Sequence, residues 1–313
     1  LRVSVTQDCN LRCRYCMPLE GITCCDTLSE DEIIDAISVA ADMGVTKIRI
    51  TGGEPLVRKN IVSICDRISK INGIEKIGIT TNGILLSKLA FDLKKAGVDY
   101  ANISLDTMSS EKYHYITRWG KIEDVFSGIE AVLSAGFKRV KINTVLMGGF
   151  NDNEIQELAE LTYKYPIDVR FIELMPIGCA RNLKGMKSQE IIEFLKKNSN
   201  IKVEENRIES HKINEELRVG PAQYYNISGT ATRIGFISPL SSCFCDECNR
   251  IRVISDGKIK QCLYYKGNVD LKKLFRTENI TDEELIKILE REIYTKNRKH
   301  EFNDYKKHNE KRE

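Results

Sequence analysis

The feature that most constrains the fold is a strand-like stretch that recurs after a helical one through residues 1–182. Six such stretches occur: Arg2–Thr6, Lys47–Thr51, Lys76–Thr81, Tyr100–Asp106, Lys138–Met147 and Val169–Met175. Repeated βα units predict a parallel sheet with right-handed crossovers. Six units suit a partial (β/α)6 TIM-type barrel better than a closed eight-stranded one. We therefore expect an α/β protein.

Helix boundaries support this division. Ser29 and Glu32 have the spacing of a capping box, which predicts the start of the first helix. Glycines 44, 97 and 136 each stand between a helical stretch and the next strand, where a left-handed residue commonly ends a helix.

Polar residues cluster where the predicted strands end. In parallel α/β folds ligands bind at the carboxyl ends of the strands, so these residues are candidates for a site. Period-two spacing places three sets each on one face. The sets are Asn102, Ser104 and Asp106; Lys141 and Asn143; and Glu173 and Met175. A polar barrel interior predicts a bound ligand.

The pattern changes after residue 182. A helix is predicted at Ser188–Lys197, then β-rich sequence around Gly229–Leu240 leads into a group of cysteines. We expect a barrel domain at 1–182 and a β-rich C-terminal domain at 183–293. The tail at 294–313 is charged and lacks apolar periodicity, so it is predicted to be mobile or loosely docked.

Composition excludes several classes of protein. With 42% hydrophobic and 30% charged residues the chain is an ordinary globular protein, not a disordered one. A net charge of +3 argues for neither nucleic acid nor a membrane surface as a partner. No apolar run is long enough to cross a bilayer and no leader opens the chain, so a cytoplasmic location is expected. Because Leu1 leads directly into a strand, we expect a short natural amino terminus before it.

Cys9-x3-Cys13-x2-Cys16 lies in the loop after the first predicted strand, and the chain has 11 cysteines. Three thiolates hold three irons of a four-iron cluster and leave one iron open. An open iron can chelate the amino and carboxylate groups of S-adenosylmethionine (SAM). The alternatives are a zinc site completed by Cys24 or Cys25, or unligated cysteines.

This cysteine loop resembles that of the radical SAM superfamily. Gly52-Gly53-Glu54-Pro55, one βα unit later, is similar to the superfamily's motif for the SAM amino group. Glycines allow close backbone approach there, and Glu54 is expected nearby as an acceptor. The ordinary interpretation of this motif is a helix-entry turn with Pro55 near the first helical position.

Cys245-x2-Cys248-x13-Cys262 supplies a second set of three thiolates in the C-terminal part. We interpret it as a second iron-sulfur site. The alternative is a four-thiolate zinc site that includes Cys243. Iron analysis separates the two.

Two stretches around this second set resemble the GTP 3′,8-cyclase family. They are Ile234-Gly235-Phe236-Ile237-Ser238-Pro239 before it and Asn249-Arg250-Ile251-Arg252 within it. The resemblance implies two 4Fe-4S clusters, the second with an open iron facing guanine. It implies SAM contacts from Tyr15, Gly53, Ser104 and Met175. It implies GTP contacts from Arg2, Arg49, Thr80, Lys141, Arg250 and Arg252.

The implied reaction is that of a lyase in molybdenum cofactor (molybdopterin) biosynthesis. GTP becomes (8S)-3′,8-cyclo-7,8-dihydroguanosine 5′-triphosphate after a 5′-deoxyadenosyl radical abstracts H3′. The implied partners are GTP, SAM, an electron donor and a downstream cyclic pyranopterin monophosphate synthase, with homodimerisation. The family's carboxyl-terminal Gly-Gly pair has no counterpart in this sequence, which ends Asn309-Glu310-Lys311-Arg312-Glu313.

Other interpretations remain open at this stage. Taken singly, Arg2 and Arg49 are typical of salt bridges at the end of a barrel, and Thr80 and Ser104 of hydroxyls that satisfy backbone groups. A second cluster that acts on another substrate, such as a peptide, is the alternative among enzymes, although the Arg-x-Arg after Cys248 argues against that. A zinc-stapled, non-catalytic nucleotide-binding module is the alternative from another class. Cys65, Cys179 and the isolated histidines, including His300 and His308, are assigned no chemistry.

Overall fold

The computed structural model describes residues 1–22, 26–198, 200–204, 221–278, 280–297 and 299. Outside these ranges lie Cys24, Cys25, His300, His308 and the end of the predicted tail. Among the described residues, no helix is both long enough and apolar enough to span a membrane.

A run of parallel strands forms the centre of the molecule. Within the described residues these strands are β1 (Arg2–Ser4), β2 (Lys47–Thr51), β3 (Lys76–Thr81), β4 (Val98–Ser104), β5 (Arg139–Leu146) and β6 (Asp168–Glu173). They are neighbours in the order of the chain, and each pairs in parallel with the next. The predicted six-stranded barrel sheet is therefore confirmed. β4 begins two residues before its predicted start because Val98, directly after Gly97, already pairs with Ile77.

Helices alternate with these strands and continue through the C-terminal part. They are α1 (Glu30–Asp42), α2 (Ile61–Ser69), α3 (Leu86–Lys95), α4 (Ser110–Thr117), α5 (Ile122–Ser134), α6 (Ile155–Lys164), α7 (Ser188–Asn198), α8 (Leu271–Thr277) and α9 (Asp282–Tyr294). Both hydrogen bonds of the predicted capping box at Ser29 are present. Gly44, Gly97 and Gly136 have φ of 89°, 88° and 74°, so the predicted helix ends are confirmed.

Alternation along the strands separates two faces of the sheet. Ile50, Ile79, Ile103, Ile142 and Phe171 are fully buried in one apolar core with residues of the helices. Since successive side chains point to opposite sides of a strand, the residues between these face the concave interior. That interior face is polar, as predicted, and it carries the candidate site residues of β1 to β5. On β6 the prediction was wrong for Glu173, which shares the outer face with Phe171 and bonds to the start of α7, whereas Arg170 faces the interior.

Strands of the C-terminal part extend the same sheet at both edges. They are β7 (Gln223–Asn226), β8 (Arg233–Ile237), β9 (Arg252–Val253), β10 (Lys258–Lys260) and β11 (Val269–Asp270). β8 pairs in parallel with β6, whereas β9 pairs in parallel with β1 at the opposite edge. The segment between β8 and β9 therefore crosses the open side of the barrel. It also runs from the carboxyl end of the parallel strands, where β8 ends, to their amino end, where β9 begins.

Candidate active site

The first cysteine group lies at the carboxyl end of β1. The backbone N–H of Cys16 donates to the carbonyl of Cys13 at 2.9 Å, which folds the second half of the motif into a turn. The Leu11 N–H donates to Cys9 Sγ at 3.4 Å. Burial and the neighbouring cysteines raise the pKa of Cys16 to about 11, and burial and the charge of Asp106 raise that of Cys13 further. Three cysteines of one short loop can still supply the thiolates of a metal cluster despite these raised pKa values, because metal ligation deprotonates thiols outright.

The end of α4 and the residues directly after it position this cysteine loop. The Arg12 N–H donates to the carbonyl of Thr117 at 3.2 Å, and the indole N–H of Trp119 donates to the carbonyl of Asn10 at 2.7 Å. Arg118 joins the two with a φ of 78°, a left-handed conformation that non-glycine residues seldom adopt. These hydrogen bonds join the backbone of the cysteine loop to a neighbouring element. They position the cysteines without involving the sulfur atoms.

Tyr15 is oriented by a buried acid. Its hydroxyl donates to Asp106 Oδ2 at 2.8 Å, and the Val145 N–H donates to Asp106 Oδ1 at 2.9 Å. Burial raises the pKa of Asp106 to about 6. Asp106 follows β4 and belongs to the polar strand-end set predicted from the sequence. Because the Tyr15 hydroxyl donates its proton to Asp106, the ring and backbone of Tyr15 are the groups that remain to contact a ligand.

The Gly52-Gly53 turn packs directly on the cysteine loop. The Gly53 N–H donates to the carbonyl of Thr6 at 2.8 Å. A Cβ at Gly53 would lie 2.3 Å from the Gln7 carbonyl oxygen and 2.4 Å from that of Asp8. Glycine is therefore required for this close approach.

Glu54 holds the neighbouring turn. Its carboxylate accepts hydrogen bonds from Leu56 N–H at 3.0 Å, Thr81 Oγ1 at 2.7 Å and Asn82 N–H at 2.6 Å. The side chain is buried, and burial raises its pKa to about 7. Its acceptance of a hydrogen bond from SAM stays a prediction, whereas its link between the β2 and β3 loops is observed.

Gly53→Ala is expected to lower SAM cleavage by about 100-fold, since a shift of about 1 Å at a reacting site has an effect of that order. The added methyl group forces the Gln7 and Asp8 carbonyls, and with them the start of the cysteine loop, to move. Formation of 5′-deoxyadenosine measures the loss. Gly148→Ala is the matched control, because its Cβ meets nothing nearer than 3.7 Å. Equal rates for the two variants contradict the role given to Gly53.

Ser104 and Met175 lie on adjacent parts of the same rim. Ser104 ends β4 opposite Asn143 of β5, and Met175 follows β6 by two residues. Both are half-buried. Thr80 lies one strand away and accepts a hydrogen bond from the Asn102 side chain at 3.4 Å. Their predicted contacts with SAM and GTP stay predictions. The sheet brings Thr80 and Ser104 to its interior face, whereas Met175 lies beyond the end of β6.

Arginines from three adjacent strands lie side by side in the interior. Arg2 of β1 pairs with Arg49 of β2 on one side and with Arg252 of β9 on the other. Gly78 of β3 lies opposite Arg49, and a Cβ there would be 2.4 Å from the Arg49 guanidinium. The glycine thus makes room for the arginine to extend across the sheet.

Two further cations face these arginines from β5 and β6. Lys141 is buried and its Nζ donates to the Tyr224 hydroxyl at 3.0 Å. Arg170 is also buried, and its Nε has no hydrogen-bond partner among the described residues. A Cβ at Gly235 would meet both Arg170 and Tyr224 within 3.0 Å. Small and aromatic residues of β7 and β8 therefore shape the space in which these cations lie.

We call Arg2, Arg49, Lys141, Arg170, Arg250 and Arg252 the interior cations. Burial and the other arginines lower the pKa of Arg2 to about 8, burial and Arg170 lower that of Arg49 to about 10, and burial and Arg250 lower that of Arg252 to about 10. Burial and Arg170 lower the pKa of Lys141 well below its usual value.

None of the interior cations forms an ion pair with a carboxylate within the described part of the chain. The nearby Asp168 pairs instead with Arg139 at 2.8 Å and Arg233 at 3.3 Å. Lys141 and Arg170 are buried, and the four other cations are half-buried. Grouped cations that are shielded from water and lack carboxylate partners are costly unless an anion binds. The salt-bridge interpretation of Arg2 and Arg49 therefore has no support in the structure, and a polyanionic ligand fits.

The second cysteine group lies at the opposite end of the interior from the first. Cys248 precedes β9 and Cys262 follows β10, whose Lys260 pairs with Arg252. Because Arg252 pairs with the first residue of β1, this is the amino end of the parallel strands. The Cys248 N–H donates to the Cys245 carbonyl at 3.1 Å. The interior cations thus lie between two sets of three thiols.

Local charge favours a thiolate at Cys248. Burial raises its pKa, but the Arg250 N–H, the Arg250 charge and Lys296 outweigh that effect and lower it to about 7. No three His, Cys, Asp or Glu side chains of the described ranges converge on a point that would suit a single metal ion. The thiolates of a four-iron cluster bind different irons and need not converge in that way, so the residues fit such a cluster.

Sequence reasoning missed Arg170 as a residue of this site. Arg170 lies between Val169 and Phe171 on a strand, the same signal that identified Lys141. Glu173 was placed with the polar strand-end residues of the interior, but it braces the approach to the second cysteine group. Its carboxylate accepts hydrogen bonds from the N–H groups of Ser188 at 2.9 Å and of Leu240 and Ser241 at 3.0 Å each.

Known proteins show the same two-part organisation. The chain matches the family model of the Radical SAM superfamily over residues 3–162 and that of Molybdenum Cofactor Synthesis C over residues 167–302. The GTP 3′,8-cyclase of Clostridium perfringens strain SM101 is 44% identical over 316 residues, covering 100% of this chain and 94% of that protein. That of Moorella thermoacetica is 43% identical and covers 96% of this chain and 91% of its own.

Solved structures agree at the level of the fold. Streptococcus suis SuiB has a TM-score of 0.63 at 15% identity, over 87% of this chain and 63% of SuiB. SuiB bound to S-adenosylmethionine has a TM-score of 0.63 at 16% identity, over 92% of this chain and 66% of that one. Both family models match in order, and the two relatives are identical at more than two residues in five over more than nine tenths of their length, so this chain belongs to the GTP 3′,8-cyclase family of the radical SAM superfamily.

Proposed function

We propose that this chain is a lyase that cyclises GTP to (8S)-3′,8-cyclo-7,8-dihydroguanosine 5′-triphosphate in molybdenum cofactor biosynthesis. The observation that carries the proposal is the group of interior cations, which lie between two sets of three cysteines without carboxylate partners among the described residues. Lys141 and Arg170 are buried, and the other four are half-buried. A triphosphate supplies the missing negative charge, and guanidinium groups bind it in a planar, bidentate way.

Each end of the interior has its own task. Cys9, Cys13 and Cys16 hold the first 4Fe-4S cluster, and the adjoining rim of Tyr15, Gly53, Ser104 and Met175 holds SAM. At the other end Cys245, Cys248 and Cys262 hold the second cluster. GTP binds between them, with Arg2, Arg49, Thr80, Lys141, Arg250 and Arg252 as its contacts and Arg170 as an additional one.

When bound, the first cluster supplies the electron that splits SAM into methionine and the 5′-deoxyadenosyl radical that abstracts H3′ of GTP. The residues of the chain place and shield these groups. The interior cations fix the triphosphate, and burial of the site keeps water from the reacting carbons. Effective concentration, which in oriented systems reaches about 10⁵–10⁸ M, then carries much of the rate. Because the cluster generates the radical and the protein positions the substrates, the reaction needs no acid-base triad.

An electron donor for the first cluster belongs to the proposal, because SAM cleavage consumes an electron. So do a cyclic pyranopterin monophosphate synthase that takes up the product and a homodimeric assembly. These three partners follow from the family and are open to direct binding measurements with the reconstituted protein.

The test is an anaerobic turnover of reconstituted protein with SAM, GTP and a low-potential reductant, followed by mass spectrometry. The proposal predicts 5′-deoxyadenosine together with a GTP isomer of unchanged mass. Formation of 5′-deoxyadenosine without any product from GTP would reject the substrate while leaving the radical chemistry in place. Protein that contains iron but forms neither compound would reject both.

GTP binding is expected to take up protons at Lys141. Burial and Arg170 lower the pKa of this ammonium group well below its usual value in the free protein. A bound triphosphate favours the charged form and raises that pKa, so affinity falls as the pH rises through the titration of Lys141. Calorimetry in two buffers of unequal ionisation enthalpy measures the uptake. Lys141→Met should reduce it, and binding with no proton uptake contradicts the expectation.

A further inference from the structure

The segment that follows α9 lies against the second cysteine group. Lys296 Nζ donates to the Cys248 carbonyl at 2.5 Å, to Cys248 Sγ at 3.3 Å and to the Arg250 carbonyl at 3.0 Å. One ammonium group thus uses all its protons on the loop that carries a cysteine and a cation of the site. The side chain is half-buried, so these bonds compete little with water.

The same segment also contacts the part of the chain that carries Cys262, the third cysteine of that group. Gln261 is the residue before Cys262, and its Nε2 donates to Glu292 Oε2 and Thr295 Oγ1, both at 3.0 Å. A little further along, the Tyr265 hydroxyl donates to the Lys299 carbonyl at 3.0 Å. Glu292 is buried although it is an acid at the end of a surface helix. Cys248 and the residue before Cys262 are therefore both hydrogen-bonded to one stretch of chain.

This stretch has an anchor of its own. α9 begins with a capping box at Thr281, and its buried residues Leu285 and Leu289 belong to the main core. α9 also contacts α1 of the barrel. Because the helix is fixed by apolar packing, Lys296 is not needed to hold it in place, and its three bonds serve the loop that they reach.

We propose that Glu292, Thr295 and Lys296 form a clasp across the second cluster site and that Lys296 is its positioning residue. The inference rests on the assignment of Cys245, Cys248 and Cys262 to the second cluster made above. Lys296 has two effects. It donates an N–H to a ligand sulfur and places a positive charge beside it, both of which favour the reduced, more negative cluster. It also fixes the Arg250 backbone and so holds that guanidinium towards GTP.

The test compares Lys296→Met with Lys287→Met, a control on the exposed face of α9. Both proteins are reconstituted anaerobically, and each cluster is titrated with reductant by electron paramagnetic resonance. The clasp predicts that K296M moves the potential of the second cluster to a more negative value and leaves that of the first unchanged. It also predicts a GTP dissociation constant about tenfold higher, the scale of one lost charged hydrogen bond, because the Arg250 carbonyl loses its bond from Lys296. Lys296→Arg, which keeps charge and donors, should restore much of both.

The iron content and the two titrations support or overturn the proposed clasp. Selective loss of the second cluster in K296M, with the first retained, supports the clasp as strongly as a shifted potential. Unchanged potential and unchanged GTP affinity overturn it. If K296M loses both clusters, Lys296→Gln is titrated in its place and judged by the same two results. Wild-type protein that holds about four irons, where two clusters require about eight, rejects the proposed second cluster itself rather than the clasp.

Discussion

Cys13→Ser is expected to abolish SAM cleavage, and with it every product of GTP. Cys13 stands between the other two thiols of the first group, and serine is a poor ligand for iron. Changing an outer partner of a ligand lowers metal affinity or activity by about 10–100-fold, so loss of the ligand itself should exceed about 100-fold. Anaerobic formation of 5′-deoxyadenosine and the iron content per chain measure the effect.

Cys179→Ser is the control for this change. Cys179 lies near enough to Cys16 to contribute to its raised pKa, yet it is outside the motif and exposed. The control should retain both cluster and cleavage. If C13S cleaves SAM as well as C179S does, the first cysteine group is not the source of the radical.

Cys248→Ser is expected to separate SAM cleavage from the cyclisation of GTP. SAM cleavage should persist, because the first cysteine group lies at the other end of the interior. Cyclisation of GTP should fall by at least about 100-fold through loss of the second cluster and displacement of the adjoining Arg250. The two rates are read from one anaerobic assay as 5′-deoxyadenosine and GTP-derived product.

Cys243→Ser is the companion variant, and it also addresses the zinc alternative. It should keep its iron and its cyclase activity, since three thiolates suffice for the second cluster. Full cyclisation by C248S would remove the second cluster from the mechanism. Equal loss in C243S and C248S, from protein that contains zinc, would favour a four-thiolate zinc site.

The barrel was predictable because its signals are local. Helix caps, glycine stops and alternating apolar residues each depend on a few neighbours in sequence, and they located β2 and β3 without error. Gly53 was predicted from its motif. The structure added the physical reason, which is contact with the carbonyls of Gln7 and Asp8.

The arrangement of the two ends was not predictable in the same way. Arg2 lies beside Arg252 because β9 joins the sheet next to β1, a pairing between residues about 250 positions apart. No local pattern encodes such a register. Likewise, Lys296 lies in a charged stretch whose sequence favoured a loose tail, and only the packing of α9 brings it to Cys248. Long-range placement, rather than residue type, is what the sequence left open.

The most direct measurement of the central claim uses GTP that carries deuterium at C3′, in the anaerobic reaction of the reconstituted protein. If the interior places the ribose of GTP beside SAM as proposed, the 5′-deoxyadenosine released will contain the deuterium and the cyclised product will have lost it. If 5′-deoxyadenosine forms at the same rate without deuterium, the radical reaches some other hydrogen and the proposed placement of GTP is wrong.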